Sequence, residues 1–234
     1  MASLIMENVS ASYAITERSA IGMRFYRKRK KVISALKDVS IDLQAGDRVG
    51  LIGSNGSGKS TLLKVMGGIL PIRSGRIYVD GARLVLLNKR SGMIGGASLY
   101  ENALIKAAGF GFKGRALRTF ARDVLESSNL SNRANDPLSS LSAGMSAQFA
   151  IAVNSKVAKP IMLLDEWIGT TNVDQESSGS LLEKINEDTD IVVLASHNKR
   201  LIRKLCNKVI CLQDGQVAYF GKNFKTAYAC VDRS

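Results

Sequence analysis

Short apolar runs of four or five residues recur along the chain, alternating with longer stretches in which apolar positions return every three to four residues. Val49-Gly-Leu-Ile52, Ile161 to Leu164, Ile191 to Ala195 and Lys208 to Leu212 read as strands buried in a core. Lys59 to Gly67 reads as a helix ending at Gly67-Gly68, and helical patterns follow over 98–108, 114–128, 142–158, 174–187 and 198–206. Arg76 to Val79 and Arg83 to Leu87 read as strands around an Asp80-Gly81 turn. Ahead of them, Ile5 to Val9 and Val39 to Leu43 predict an antiparallel β flap. This alternation predicts an α/β fold, a largely parallel sheet covered by helices. No internal repeat, low-complexity tract or long linker interrupts it.

Composition narrows the class. With 234 residues, 45% of them hydrophobic, 23% charged and only 3 prolines, the chain suits one sizeable globular domain and excludes disorder, collagen-like repeats and a disulfide-stapled mini-protein. The apolar runs fall far below the roughly 20 residues that span a bilayer. Met1-Ala-Ser-Leu-Ile-Met-Glu-Asn8 has no charged segment followed by an apolar one, so no export signal is expected and the chain should stay inside the cell. Cys206, Cys211 and Cys230 form no metal-spaced set with the single His197, and read as reduced, partly buried thiols.

Charge points outward. The 33 basic against 20 acidic residues give a net +13, which predicts an anionic partner, either nucleic acid or an acidic membrane leaflet. Between Arg18 and Lys37 the chain carries eight Lys or Arg and no acid, with Phe25 and Tyr26 beside Arg27-Lys-Arg-Lys-Lys31. That density suggests surface attachment. A second cluster, Lys199, Arg200, Arg203, Lys204 and Lys208, fits a solvated face equally well.

The chemistry begins at Gly53-Ser54-Asn55-Gly56-Ser57-Gly58-Lys59-Ser60-Thr61, a complete G-x-x-x-x-G-K-S between a strand and a helix. In such a loop glycines let successive N–H groups point at phosphates, and the helix N-terminus adds partial positive charge. Lys59 is expected to reach the β and γ phosphates of ATP, and the Ser60 hydroxyl to ligate Mg²⁺. Asp165 and Glu166 stand at the carboxyl end of an apolar strand, where open α/β sheets bind ligands. Asp165 is expected in the Mg²⁺ shell, and Glu166 as the group that orients or deprotonates the attacking water.

Leu141-Ser142-Ala143-Gly144-Met145, 24 residues before Asp165, resembles the signature motif of ABC ATPases. Ala195-Ser196-His197 after a core strand resembles the family's switch histidine, and Tyr13 its adenine-stacking aromatic. With the phosphate loop and Asp165-Glu166, five motifs stand in the family's order over nearly the whole chain. The resemblance implies a P-loop ABC-type nucleotide-binding domain with an antiparallel β subdomain and a helical subdomain. Residues 1–87 and 159–234 would form the ATP-binding core, and 88–158 the helical, signature-bearing part. It further implies a head-to-tail homodimer in which Ser142, Ala143, Gly144 and Met145 of one copy meet the γ-phosphate held by the other, while His197 contacts that phosphate and the attacking water.

Other features resemble the ATPases of polysaccharide exporters, which move capsular polysaccharide, lipopolysaccharide O-antigen or teichoic acid. These are Met145 in place of the usual Gln, Trp167 after Glu166, a Gly-rich run before Glu101-Asn102, and the basic insert after Tyr13. The resemblance implies a peripheral subunit on the cytoplasmic face of the bacterial inner membrane, a separate permease that handles the polysaccharide, and no nucleic-acid partner. An ABC ATPase of an importer or of a lipid or drug exporter, or a soluble nucleic-acid or ribosome-associated one, are the alternatives. Ala143 in place of a signature Gly, and Asn172 where the family has its coupling aspartate unless Asp174 fills that place, are expected to slow hydrolysis rather than prevent ATP binding.

Overall fold

Two sheets organise the chain, and the computed structural model describes residues 1–21, 25–86, 92–156, 159–165 and 189–231, with backbone alone for 15–31, 143 and 147. The first sheet is antiparallel: β1 (Ser3–Ile21) pairs with β2 (Phe25–Gln44) on one side and with β4 (Ser74–Asp80) on the other. The predicted flap is therefore real but far longer than Ile5 to Val9 and Val39 to Leu43. Its register runs from Ser3↔Gln44 out to Ile21↔Phe25, with irregularities between Met6 and Ser12. The basic stretch Arg27 to Lys31 lies in the outer part of this hairpin.

The second sheet has the order β5-β6-β7-β3-β8-β9, formed by β3 (Arg48–Ile52), β5 (Arg83–Leu86), β6 (Ile161–Asp165), β7 (Ile191–Ala195), β8 (Lys208–Gln213) and β9 (Gln216–Gly221). All neighbours are parallel except β8 and β9. Alternate residues of these strands feed two cores, because successive side chains in a strand point to opposite faces. Val49, Leu51, Ile161, Leu163, Val193, Ile210 and Leu212 join β1, β2 and the helix α1 (Lys59–Met66) on one face. Met162, Leu164, Val192, Leu194, Val209 and Cys211 join the other helices on the opposite face. Each fully buried side chain of this size contributes about 1.5–3 kcal/mol.

Those other helices are α2 (Leu99–Gly109), α3 (Arg115–Ser127), α4 (Ala143–Ser155), α5 (Lys199–Leu205) and α6 (Phe224–Val231). The start of α2 is fixed by a capping box: Ser98 Oγ accepts from Glu101 N at 3.1 Å, and Glu101 returns a carboxylate to Ser98 N at 2.8 Å. Asn102, 1% exposed, ties the Gly-rich run to this helix, accepting from Ile94 N and donating to Ile94 O, Ala97 O and Ser98 O. Ser98→Ala is expected to lower unfolding free energy by about 1 kcal/mol, read from the urea midpoint at unchanged slope.

Two differences from the sequence reading have clear causes. Asp80-Gly81 does not join a hairpin: β4 pairs with β1 in the first sheet, and β5 pairs with β6 in the second. Gly81, at φ 116°, turns the chain from one sheet into the other. The second difference is β9 and α6, a strand and a helix beyond the last element that the sequence pattern predicts. Gln213 pairs with Gln216 across Asp214 (φ 47°) and Gly215 (φ 80°), a two-residue turn with both central residues at positive φ. The expected helix at 174–187 lies outside the described residues.

Candidate nucleotide-binding site

The phosphate loop leaves the sheet at the carboxyl end of β3 and enters α1 at Lys59. Gly58, at φ 107°, sits where a Cβ would come within 2.9 Å of the Ala35 carbonyl oxygen. Only glycine allows β2 to approach the loop this closely. The same contact is locked from the other side, since Gly215 N donates to Ser57 O at 3.0 Å and Lys37 N donates to Gly215 O at 2.9 Å. The loop is thus held between β2 and the β8–β9 turn. Among the described residues no side chain caps α1, which leaves its first-turn N–H groups for an anion.

Lys59 is 7% exposed, and its Nζ donates to Gly53 O at 2.8 Å and Ser54 O at 2.9 Å. A full positive charge is therefore fixed at the base of the loop. Ser57 is buried and its hydroxyl oxygen has no hydrogen-bond partner among the described residues, a cost of about 1–3 kcal/mol of the kind that accumulates at functional sites.

Above the loop lies a cavity of about 340 Å³ lined by Tyr13, Ile33, Ser34, Ala35, Lys37, Asn55, Gly56, Gly58, Lys59, Ser60, Thr61, Asp214 and Gly215. Its size suits a small ligand. Two ammonium groups, loop backbone and an exposed tyrosine ring together fit a phosphate-bearing aromatic ligand. Of the residues expected here, Tyr13, Asn55, Gly56, Gly58, Lys59, Ser60 and Thr61 line the cavity. Gly53, Ser54 and Ser57 do not line it; Gly53 and Ser57 are buried and Ser54 is exposed. Ile33, Ser34, Ala35, Lys37, Asp214 and Gly215 were not anticipated. Asp214-Gly215, a hairpin signal in plain view, could have pointed to the last two.

Asp165 ends β6, is 8% exposed, and pairs with Ala195 of β7, which in turn pairs with Leu51 of β3. Its carboxylate is thus carried to the same sheet edge as the loop, one strand removed. His197 follows β7 on that edge and is exposed, while the buried Ser196 accepts at Oγ from Asn198 N at 3.1 Å. Neither Asp165 nor His197 lines the cavity. Ser142 caps α4, accepting at Oγ from Met145 N at 3.2 Å, and keeps its own hydroxyl proton to donate. Met145 Sδ accepts from Arg133 at 3.4 Å, and space is open around Gly144. None of these signature residues lines this chain's own cavity. Glu166, Trp167, Asn172 and Asp174 lie outside the described residues.

Behind the loop, Cys211 pairs with Ile52, the residue before Gly53. Burial pushes its thiol up to about 11 and that of Cys206 to about 12, the latter opposed by Arg48. The native state therefore keeps protons that the unfolded chain sheds near pH 9, so stability falls as pH rises from about 9 toward 11–12. Denaturant midpoints across that window should fall less steeply in Cys206→Ala than in wild type.

A phosphate loop at the carboxyl edge of a largely parallel sheet, with an acidic strand end beside it, defines a P-loop nucleotide-binding protein. Residues 36–169 match the family model described as ABC transporter. The chain is 34% identical to the O-antigen export system ATP-binding protein RfbE of Yersinia enterocolitica, covering 93% of this chain and 97% of that one. It is 30% identical to the teichoic acids export ATP-binding protein TagH of Staphylococcus haemolyticus (94% of this chain, 84% of that one). For the Listeria monocytogenes TagH the identity is 29%, and this chain spans 65% of its length. The fold matches a dimeric post-hydrolysis structure of the ATP-binding cassette MJ0796 bound to ADP and Pi, with TM-score 0.73, 25% identity, and coverage of 94% and 98%. The chain belongs to the ABC transporter family, and it is an ATPase of that family.

Proposed function

We propose that this chain is the ATP-hydrolysing subunit of an exporter that moves a lipid-linked polysaccharide, of capsular or O-antigen type, through a separate permease. The observation that carries this reading is the likeness to an O-antigen export ATP-binding protein over nearly the full length of both chains. No helix among the described residues is long and apolar enough to cross a membrane, so the path for cargo is assigned to another subunit.

In this reading Tyr13 stacks on adenine, the backbone of Gly53 to Gly58 surrounds the phosphates, and Lys59 and Thr61 contact them. Ser60 and Asp165 offer hard oxygen donors, which suit Mg²⁺; the ion would neutralise charge on the phosphate oxygens. Glu166 orients the attacking water and His197 faces the γ-phosphate side. Because Ser142, Gly144 and Met145 do not line this chain's cavity, the signature segment is assigned to the phosphates held by a second copy, in keeping with the dimeric cassette it resembles. ATP closes the homodimer, and hydrolysis reopens it and drives the permease. The subunit then works peripherally at the cytoplasmic face of the inner membrane, with the basic outer hairpin near acidic headgroups, each cation contributing about 1 kcal/mol.

In cells, replacing the chain by its Lys59→Ala variant is expected to remove the polysaccharide from the surface while polymer accumulates inside. Unchanged surface polymer would rule out the export role.

A further inference from the structure

The second basic cluster of the sequence takes no part in the nucleotide pocket. One of its members, Arg203, lines an open hollow of about 530 Å³ together with Lys222, Asn223, Phe224 and Lys225 from the chain that follows β9. Three elements supply its charge: Arg203 from α5, Lys222 from the β9–α6 connection and Lys225 from the first turn of α6. Among the described residues none of these three is in an ion pair. Lys208, in contrast, is neutralised by the Asp47 carboxylate at 2.8 Å. From Lys199 to Lys225 the chain carries seven Lys or Arg and a single acid, Asp214, which lies at the nucleotide pocket.

Arg203 is held in place. Its guanidinium carbon lies over the Tyr228 ring, 5.3 Å from the ring centre. Burial raises the Tyr228 phenol above its ordinary value, so it stays neutral and offers Arg203 no negative charge. The phenol in turn donates to Lys199 O at 3.2 Å. The end of α6 is not what attracts an anion, because Asn223 Oδ1 already accepts from Lys225 N at 3.1 Å and Thr226 N at 3.2 Å. Side-chain charge remains, converging on one hollow.

The strand register sets this hollow apart from the nucleotide pocket. At one end of the β8–β9 pair Gln213 faces Gln216 beside the pocket; at the other Val209 faces Gly221, next to Lys222. The two sites are roughly 15 Å apart along the strands, at a rise of about 3.3 Å per residue. They lie at opposite edges of the sheet.

Three cations in one hollow, none of them ion-paired among the described residues and one lying over an aromatic ring, match an anion with several oxygens and more than one negative charge. We propose that this hollow is a second anion site, taking a phosphate-bearing ligand with Arg203, Lys222 and Lys225 as its charge partners and half-buried Phe224 as an apolar wall. The phosphate can belong to a soluble phosphorylated compound or to a lipid headgroup.

Calorimetric titration of the full chain with inorganic pyrophosphate tests the site. Two binding events are expected in wild type, and only the one at the phosphate loop in the Arg203→Ala, Lys222→Ala, Lys225→Ala triple variant, whose ATP binding is unchanged. Lys59→Ala should keep the event at the hollow, so the nucleotide reading and this one fail separately. Arg203→Lys alone should weaken the second event about tenfold. Flotation with vesicles containing phosphatidylglycerol, against pure phosphatidylcholine, distinguishes the sources. A deficit in the triple variant assigns a headgroup, and a second pyrophosphate event without that deficit assigns a soluble ligand. A single pyrophosphate event in wild type, together with equal flotation of both proteins, would overturn the proposal.

Discussion

Lys59→Ala is expected to lower kcat/KM for ATP by about 10²–10³-fold, with most of the loss already present in binding. The side chain brings an ammonium to the base of the loop and also latches the Gly53 and Ser54 carbonyls. Truncation removes the charge that meets the phosphates and frees two backbone acceptors to rotate toward them, which turns attraction into repulsion. Charge-assisted bonds of this kind are worth about 1.5–3 kcal/mol each. Lys59→Arg should not rescue activity, because a planar guanidinium does not fit a cradle closed by two carbonyls. Nucleotide binding followed by fluorescence, beside turnover, measures both parts; a variant that binds ATP as wild type does would remove Lys59 from the site.

Glu166→Gln should behave differently. If the carboxylate orients the attacking water, its loss lowers turnover by about 10²–10⁴-fold and leaves ATP affinity near wild type. β6 delivers Asp165 to the loop's edge of the sheet, in register with Ala195 and Leu51, and Glu166 is the next residue in the sequence. ATP should then hold two copies together long enough for the dimer to appear on size exclusion. A variant that turns over ATP normally would assign the water to another group, with His197 the first to substitute.

The parts of this site carried by short contiguous motifs were legible in the sequence. Gly53 to Thr61 needs only its own glycines, its lysine and the strand before it, and the strands ending at Asp165 and Ala195 announce themselves as unbroken apolar runs. The rest of the pocket wall was not legible, because Ser34, Ala35 and Lys37 reach the loop only through the β2 contact that Gly58 permits. The hairpin's outer half was missed for a related reason. Beyond Tyr13 its strands carry basic and polar residues with no alternating apolar face, and they are strands because they pair with each other. Asp80-Gly81 misled in the opposite sense: a local turn signal cannot tell which sheet each flanking strand will join.

The order of strands in the second sheet also bears on how the molecule is made. β3, the strand that presents the phosphate loop, is bordered on one side by β7 and on the other by β8. Both partners are encoded at least 139 residues after it, at Ile191–Ala195 and Lys208–Gln213 against Arg48–Ile52. At ribosomal speeds of about 5–20 residues per second, β3 waits on the order of 10–30 s with both edges unpaired. The β1–β2 hairpin, complete by Gln44, can form at once and cover one face of β3 during that interval. The nucleotide site is therefore among the last features to be assembled. Val49 and Leu51 are the segment most in need of shielding on a nascent chain.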